Sequence, residues 1–372
     1  MIVIVLMIKN EAASIAANLT AFAQNGFNKF FILDTGSNDA TVTIVKDWFK
    51  SNEINGQLVE EPFIDFASSR NRALILAKDF FQEATFLLMP DAEWYLRNAN
   101  LLIEFCLQEQ FKSDPLYYIN IKSQSLLFTT ARLFRTQNLA LFKGEVHEAP
   151  DCVVKKSAPA ETYFEVIASS NGIEKSKQRW LRDKDILLKA LKKNPQDPRT
   201  LFYLAQTYEC LGDLDNAYKY YLHRQQNNGW DEENFITLYR LGRIALAKSQ
   251  STTTCSWNTA MDYFLAAFSM RPHRIEPIVQ IADYYWPSNI EACYLFINYT
   301  YHLPFPSQDK LFIEKEMYDY TRYEIMSRCA WYMGQYNLGI EATERALAVH
   351  PQMEHLQNNL KLYQEGIICK TL

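Results

Sequence analysis

Up to about residue 90 the chain alternates short apolar runs with stretches of helical period, and after about residue 174 it is helical in pattern almost throughout. Two such stretches bury different kinds of face, so they call for two architectures rather than one. In the first stretch the pattern predicts strands over 2–8 and 29–34, helices over 12–25, 38–50 and 66–80, and a further apolar run at Phe86-Leu87-Leu88-Met89. Strands alternating with helices give βαβ units and a mostly parallel sheet, whose ligands bind beyond the carboxyl ends of the strands. Asp34 and Asp91 stand at such ends. The opening apolar run, residues 1–8, is too short to span a bilayer, has no basic leader and reads as a buried central strand. Residues 116–146 are richer in strand formers and suggest a mixed-sheet addition.

In the second stretch Asn194-Pro195-Gln196-Asp197-Pro198 separates two helices. Leu201, Leu204, Ala205 and Tyr208 then share a face, Gly212 marks a turn, and Ala217 and Tyr221 lie on the returning helix. This spacing resembles a tetratricopeptide repeat, whose small residues let paired helices approach closely. Leu241, Gly242 and Ala245 with Ala260, Phe264, Ala267 and Pro272 suggest a second repeat, interrupted by the polar segment from Lys248 to Cys255. Degenerate units are expected over 277–296 and 326–349. The expected domains are therefore 1–172 and 173–372, in keeping with roughly 100–200 residues per domain. The helical region would engage a protein or glycan acceptor, or would simply pack as a bundle. Trp257, Tyr284, Tyr285, Trp286, Trp331 and Tyr332 suit interhelical packing as well as recognition, and a contiguous exposed aromatic groove would favour recognition.

A net charge of −5 gives no global positive field, which argues against nucleic acid as partner. Seven scattered cysteines without a C-x-x-C spacing offer no disulfide framework or zinc site, so a reducing cytoplasm is the simplest setting. No integral membrane segment is expected. With 11 Gly and 13 Pro, the chain is poor in turn residues for a β-sandwich or propeller. Neither G-x-G-x-x-G nor the P-loop pattern occurs, so both common glycine-based phosphate loops are missing.

The first two strands end instead in Lys9-Asn10-Glu11 and in Asp34-Thr35-Gly36-Ser37-Asn38-Asp39. The second of these reads plainly as a capped turn, while Asp34 can also accept hydrogen bonds from a nucleobase or ribose. With Arg70-Asn71-Arg72-Ala73, Met89-Pro90-Asp91-Ala92-Glu93, Arg132-Leu133-Phe134-Arg135 and Gly144-Glu145-Val146-His147-Glu148, the chain resembles the family-2-type glycosyltransferases. It is most similar to members that carry a tetratricopeptide-like C-terminal region. The resemblance implies an α/β, Rossmann-like, mostly parallel mixed sheet of the GT-A type, binding a nucleotide-sugar and followed by an all-α helical array. It also implies a nucleotide-diphosphate sugar donor, a UDP-sugar first among them, a divalent cation, and inverting transfer to a nucleophilic acceptor.

Asp91 and Glu93 supply hard carboxylate oxygens for a cation that neutralises two phosphates. Their plain alternative is a solvent-facing acidic turn, and Glu93 departs from the usual Asp-x-Asp ending. The resemblance makes His147 a third metal ligand, which suits Mn²⁺ better than Mg²⁺. Asp91 would act through that cation on the leaving group. Glu148 reads either as the general base or as a partner orienting His147. Arg70 is expected on the nucleotide or diphosphate, with Arg72 less directly engaged, and a surface ion-pair role as the alternative for both. Arg132 and Arg135 would support phosphates or cover a hydrophobic edge. Lys9, Asn10, Glu11, Asp34 and Asp39 would shape the nucleoside pocket. Two other readings stay open: a non-catalytic nucleotide-sugar-binding scaffold, and nucleotidyl transfer to a sugar phosphate.

Overall fold

In the computed structural model, which describes residues 1–123, 126–144, 148–167, 172–251 and 255–371, the opening apolar run forms β1 (Ile2–Ile8). The chain continues through α1 (Ile15–Gln24), β2 (Lys29–Asp34), α2 (Thr41–Ser51), β3 (Asn55–Glu60), α3 (Phe66–Phe80) and β4 (Phe86–Leu88). Next come β5 (Trp94–Arg97), α4 (Ala99–Glu109), β6 (Leu116–Ser123) and β7 (Leu126–Arg135). The short strands β8 (Phe142–Lys143), β9 (Ala149–Pro150), β10 (Lys156–Ser157) and β11 (Tyr163–Val166) lead to α5 (Gly172–Lys193). Clustering of contacts separates two compact units, Met1–Ala190 and Leu191–Leu372.

In the first unit the strand order is β3-β2-β1-β4-β7-β6-β11-β5, with β10 also on β6. The β1–β2, β2–β3, β1–β4, β6–β11 and β6–β10 pairs are parallel, whereas β4–β7, β6–β7 and β5–β11 are antiparallel. β1 is buried on both faces because its alternating side chains serve two layers. Ile4, Leu6 and Ile8 pack with α1, α2 and α4 through Leu19, Trp48 and Leu102, while Val3 and Val5 pack with α3 through Leu74 and Ala77. β2 and β3 lie to one side of β1 and β4 to the other. The strand order therefore reverses between β1 and β4, which opens a crevice at their carboxyl ends.

Several elements differ from the sequence reading. The edge strand β3 is not predicted by it, because Asn55 and Gly56 are poor strand formers and the strand is only partly buried. β5 and α4 are likewise unannounced. α1 starts at Ile15 rather than 12 because residues 11–14 close a turn, with the Ser14 amide donating to the Glu11 carbonyl at 3.0 Å.

The second unit contains α6 (Pro198–Cys210), α7 (Leu214–Gln225), α8 (Asp231–Ser251), α9 (Trp257–Met270), α10 (Glu276–Tyr285) and α11 (Ile290–Thr300). It closes with α12 (Arg322–Tyr332), α13 (Tyr336–Val349) and α14 (Glu354–Thr371). Consecutive helices pair as α6/α7, α8/α9, α10/α11 and α12/α13, a tetratricopeptide-like array. Asp197 caps α6, its Oδ2 accepting from the Thr200 amide at 2.7 Å, with Pro198 in the first turn. Gly212, at φ +79, turns the chain into α7, capped by Asp213. A Cβ at Gly242 would meet the Phe264 ring and one at Gly339 the Tyr363 ring, which is why these positions stay small. The polar segment expected to interrupt the second repeat begins inside a helix, since α8 runs on to Ser251. No helix among the described residues is long and apolar enough to cross a membrane.

Candidate active site

The loops after β1 and β2 are knitted together by their own polar groups. Asn10, in the left-handed region at φ +56, accepts from the Asn38 amide through Oδ1 at 2.8 Å, and its own amide donates to Ser37 Oγ at 2.8 Å. The Glu11 amide donates to Thr41 Oγ1 at 2.8 Å and the Ala12 amide to Asp39 Oδ2 at 3.3 Å. Asp34 is buried and accepts the Gly36 and Ser37 amides on Oδ1, at 3.0 and 2.8 Å, and the Ser37 hydroxyl on Oδ2. Burial pushes the Asp39 carboxyl up, and the hydrogen bonds from Thr41 and Ala12 more than offset it, leaving it below the usual carboxylate range. The residues expected to shape the nucleoside pocket thus form one pre-organised rim, with Lys9 exposed beside it.

Across the crevice lies a cluster of four charges. Arg70, on α3, places Nη2 2.7 Å from Asp91 Oδ1 and Nε 2.7 Å from Glu148 Oε1. Arg132, on β7, places Nη2 4.0 Å from Asp91 Oδ2 and Nη1 3.7 Å from Glu148 Oε1, too long for hydrogen bonds. The Arg70, Arg132 and Glu148 side chains are 7%, 8% and 8% exposed, whereas Asp91 keeps 34% of its surface open to the crevice. The Arg132 guanidinium sits 5.2 Å from the Trp94 ring and 5.4 Å from the Phe142 ring, so it is held by aromatic faces. Its Nε and Nη1 are buried without a hydrogen-bond partner among the described residues. Burial, and then the like charge of Arg70, push Arg132 down to about 10. Burial pushes the Asp91 carboxyl up, but Arg70 and Arg132 outweigh it and hold it below the usual range. Burial similarly opposes the Arg70 charge, and Asp91 and Glu148 more than restore it. Such a cluster can exchange carboxylate partners for a bound anion.

α3 positions this cluster because Asp65 caps it, Oδ1 accepting the Ser68 amide at 2.7 Å. Next to Arg70, Asn71 pins β8: its Nδ2 donates to the Phe142 carbonyl at 2.9 Å and its Oδ1 accepts the Phe142 amide at 2.7 Å. Arg72 is exposed on another part of the helix and pairs with half-buried Glu61, Nη2 to Oε1 at 2.8 Å. Arg132 and Arg135 are three residues apart on a strand and so face opposite ways. Arg135 is buried and donates to the Asp114, Gln110 and Glu109 carbonyls, at 2.9, 3.1 and 2.7 Å, closing the carboxyl end of α4.

Glu93 is half-buried two residues past Asp91, and its carbonyl accepts the Ile167 amide at 3.0 Å. His147 and its neighbour Glu145 lie outside the described residues. Among the described residues no three His, Cys, Asp or Glu side chains converge as a metal-binding group, and the Asp91 carboxylate is engaged by arginine rather than by a second acid.

The sequence reading missed the contribution of α5. Asp183 is buried, and burial first, then the Glu148 charge, push its carboxyl up to about 6 against the opposing pull of Arg179 and Arg182. Arg179 also helps to hold Asp91 ionised. The only signal for these residues is the i, i+4 spacing of Arg179 and Asp183, which any solvated helix can show. Asp183 ionises near 3.8 when unfolded and near 6 in the fold, so between these values the fold keeps a proton that the unfolded chain has lost. Stability therefore falls as pH rises through that window. Asp183→Asn is expected to stabilise the protein by roughly 2 kcal/mol at pH 7 and to have no such effect below about pH 4, as read by thermal melts at both values.

A tetratricopeptide-repeat family model matches residues 186–219. Two curated relatives, the SPbeta prophage-derived glycosyltransferase SunS of Bacillus subtilis (strain 168) and glycosyltransferase SunS of Bacillus phage SPbeta, are each 26% identical over 232 residues. The match covers 60% of this chain and 52% of each relative, so the chain spans about half the length of the curated relatives it matches. Among solved structures, S. aureus TarS 1-349 aligns over 79% of this chain and 89% of its own at 14% identity and TM-score 0.34. The C-terminal part of a TPR repeat-containing protein from Cytophaga hutchinsonii aligns over 51% and 66% at 16% identity and TM-score 0.38. The chain is thus weakly similar in sequence to a glycosyltransferase, and residues 186–219 match a tetratricopeptide-repeat model within a tetratricopeptide-like helical array.

Proposed function

We propose that the first unit is a glycosyltransferase domain of the GT-A type, which takes a sugar from a nucleotide-diphosphate donor, a UDP-sugar foremost, and passes it to a nucleophilic acceptor. The observation that carries this reading is Arg132, a buried guanidinium with two nitrogens that make no hydrogen bond among the described residues, beside Asp91 and Glu148 at 4.0 and 3.7 Å. A diphosphate entering the crevice would take up those donors and compete with Asp91 and Glu148 for the two arginines. Charge developing on the departing diphosphate would then meet fixed guanidinium dipoles in a site that excludes most water. The rim of Asn10, Asp34 and Asp39 stands where the nucleoside would lie, and Glu148, released from Arg70, would take the acceptor proton in an inverting displacement.

A divalent cation, Mn²⁺ before Mg²⁺, would bind at Asp91 and Glu93 with His147 and add charge opposite the leaving group. The described residues supply two of these carboxylates but do not gather them into a site, so the arginine cluster bears the weight of the proposal. The acceptor, protein or glycan, would be presented by the helical array. Incubation with a panel of nucleotide sugars and an acceptor extract, with and without Mn²⁺, tests the reading through mass-resolved products. Release of nucleoside diphosphate with a glycosylated acceptor is expected. Pyrophosphate released in a parallel incubation with a nucleoside triphosphate and a sugar phosphate would point to nucleotidyl transfer, and donor binding without any product would point to a scaffold.

A further inference from the structure

In the second unit the alternate helices α10, α12 and α14 leave a surface recess of about 190 Å³. Its walls are aromatic: Trp286 follows α10, and Trp331 and Tyr332 end α12. The Trp286 and Tyr332 rings lie 5.8 Å apart at 57°, and Tyr332 is 63% exposed, with Leu362 on the rim 52% exposed. Polar groups lie between the rings. Arg328 sits 5.2 Å from the Trp286 ring, with Nη2 2.9 Å from Glu324 Oε2 and 3.3 Å from Asp283 Oδ1. Its Nε is buried without a hydrogen-bond partner among the described residues. Asn359 Nδ2 donates to Ser327 Oγ at 3.1 Å, which also accepts from Thr343 at 2.8 Å.

We propose that this recess binds a single pyranose ring of a glycan. The volume falls below the roughly 300–1,000 Å³ of sites that hold larger organic ligands, so one ring is the unit that fits. A pyranose offers an apolar C–H face to a tryptophan or tyrosine and hydroxyls around its edge, the same combination that the walls and the polar floor present. The charge on Arg328 is already balanced by Glu324 and Asp283, so the recess has no surplus positive charge for a carboxylate or phosphate and favours a neutral ligand. An apolar peptide side chain would use the rings alone, whereas sugar hydroxyls can also pair with the Asn359 amide and the partly exposed Arg328 guanidinium. The site lies wholly within the second unit and stands independently of the transfer reaction.

Saturation-transfer NMR on the full chain tests this with the methyl glycosides of glucose, galactose and N-acetylglucosamine, and with acetyl-leucine amide and acetyl-phenylalanine amide as peptide-like probes. Transfer to the ring C–H protons of at least one glycoside is expected, with Tyr332→Ala and Arg328→Gln each weakening it roughly five- to tenfold. Tyr332 is exposed, so its truncation leaves the fold intact, and the two variants report separately on stacking and hydrogen bonding. Absence of transfer to every glycoside, or transfer unchanged in both variants, overturns the proposal. Binding of the amides alone would assign the recess to a peptide instead. None of these readouts depends on catalysis by the first unit.

Discussion

Asp91→Asn is expected to lower sugar transfer by about 10²–10³-fold while leaving nucleoside diphosphate bound as tightly as before, or more tightly, when divalent cations are chelated. The two halves of this result have one cause. Asp91 faces Arg70 at 2.7 Å and stands 4.0 Å from Arg132, so it competes with any incoming anion for both guanidiniums. Asparagine keeps an oxygen for the Arg70 hydrogen bond but removes the charge, which leaves Glu148 alone against two buried cations. The anion then meets less competition, while the carboxylate proposed to act on the leaving group through a cation is gone. Product release measured by mass, set beside calorimetric binding of UDP in chelator, gives both numbers. Unchanged turnover would remove Asp91 from the chemistry, and weakened binding in chelator would show that it does not oppose the anion.

The largest expected loss of stability lies in the second unit, at Glu276→Ala. Arg274 and Glu276 are both fully buried and paired, Nε to Oε1 at 2.9 Å and Nη2 to Oε1 at 2.7 Å. Glu276 also accepts the Tyr318 hydroxyl at 2.8 Å, and Arg274 reaches Asp309 at 3.3 Å and the Leu311 and Phe312 carbonyls. This network ties the segment after α11 to the start of α10. Removing the glutamate leaves the buried Arg274 cation with only its longer contact to Asp309 and leaves the Tyr318 hydroxyl unpaired, a loss of about 3–5 kcal/mol. At this size that corresponds to a fall in Tm of roughly 6–20 °C. The double substitution Arg274→Met with Glu276→Leu is expected to recover part of it, because no unpaired charge is left behind. Thermal melts of the single and double variants measure both effects, and a melt of Glu276→Ala indistinguishable from the parent would show that the network contributes little.

What could be read in the sequence follows the strength of local signals. β1, β2 and the helices around Leu201 and Ala217 were legible because burial on one or both faces imposes a period that survives in the residue string. β3 was not, since a partly exposed edge strand such as Asn55–Glu60 needs little apolar content. Within the candidate site, Asp34 and Arg70 stand at the expected strand end and helix, and Asp91 follows β4 in the turn beyond it. The grouping of Arg70 with Asp91 and Glu148 was not legible, because it depends on how α3, the end of β4 and the residue entering β9 meet in space. Arg132 and Arg135 looked equivalent in the string. Only the pleat decides that one enters the crevice and the other closes α4. Asp183, on a helix whose pattern announces nothing but amphipathicity, could be found only through the field it shares with Glu148.

Consecutive residues of α3 hold the chain at β8 and just before β9, Asn71 at Phe142 and Arg70 at Glu148. Both points are therefore referenced to a single helical turn. A shift of α3 along its axis would therefore carry β8 and the Glu148 carboxylate with it.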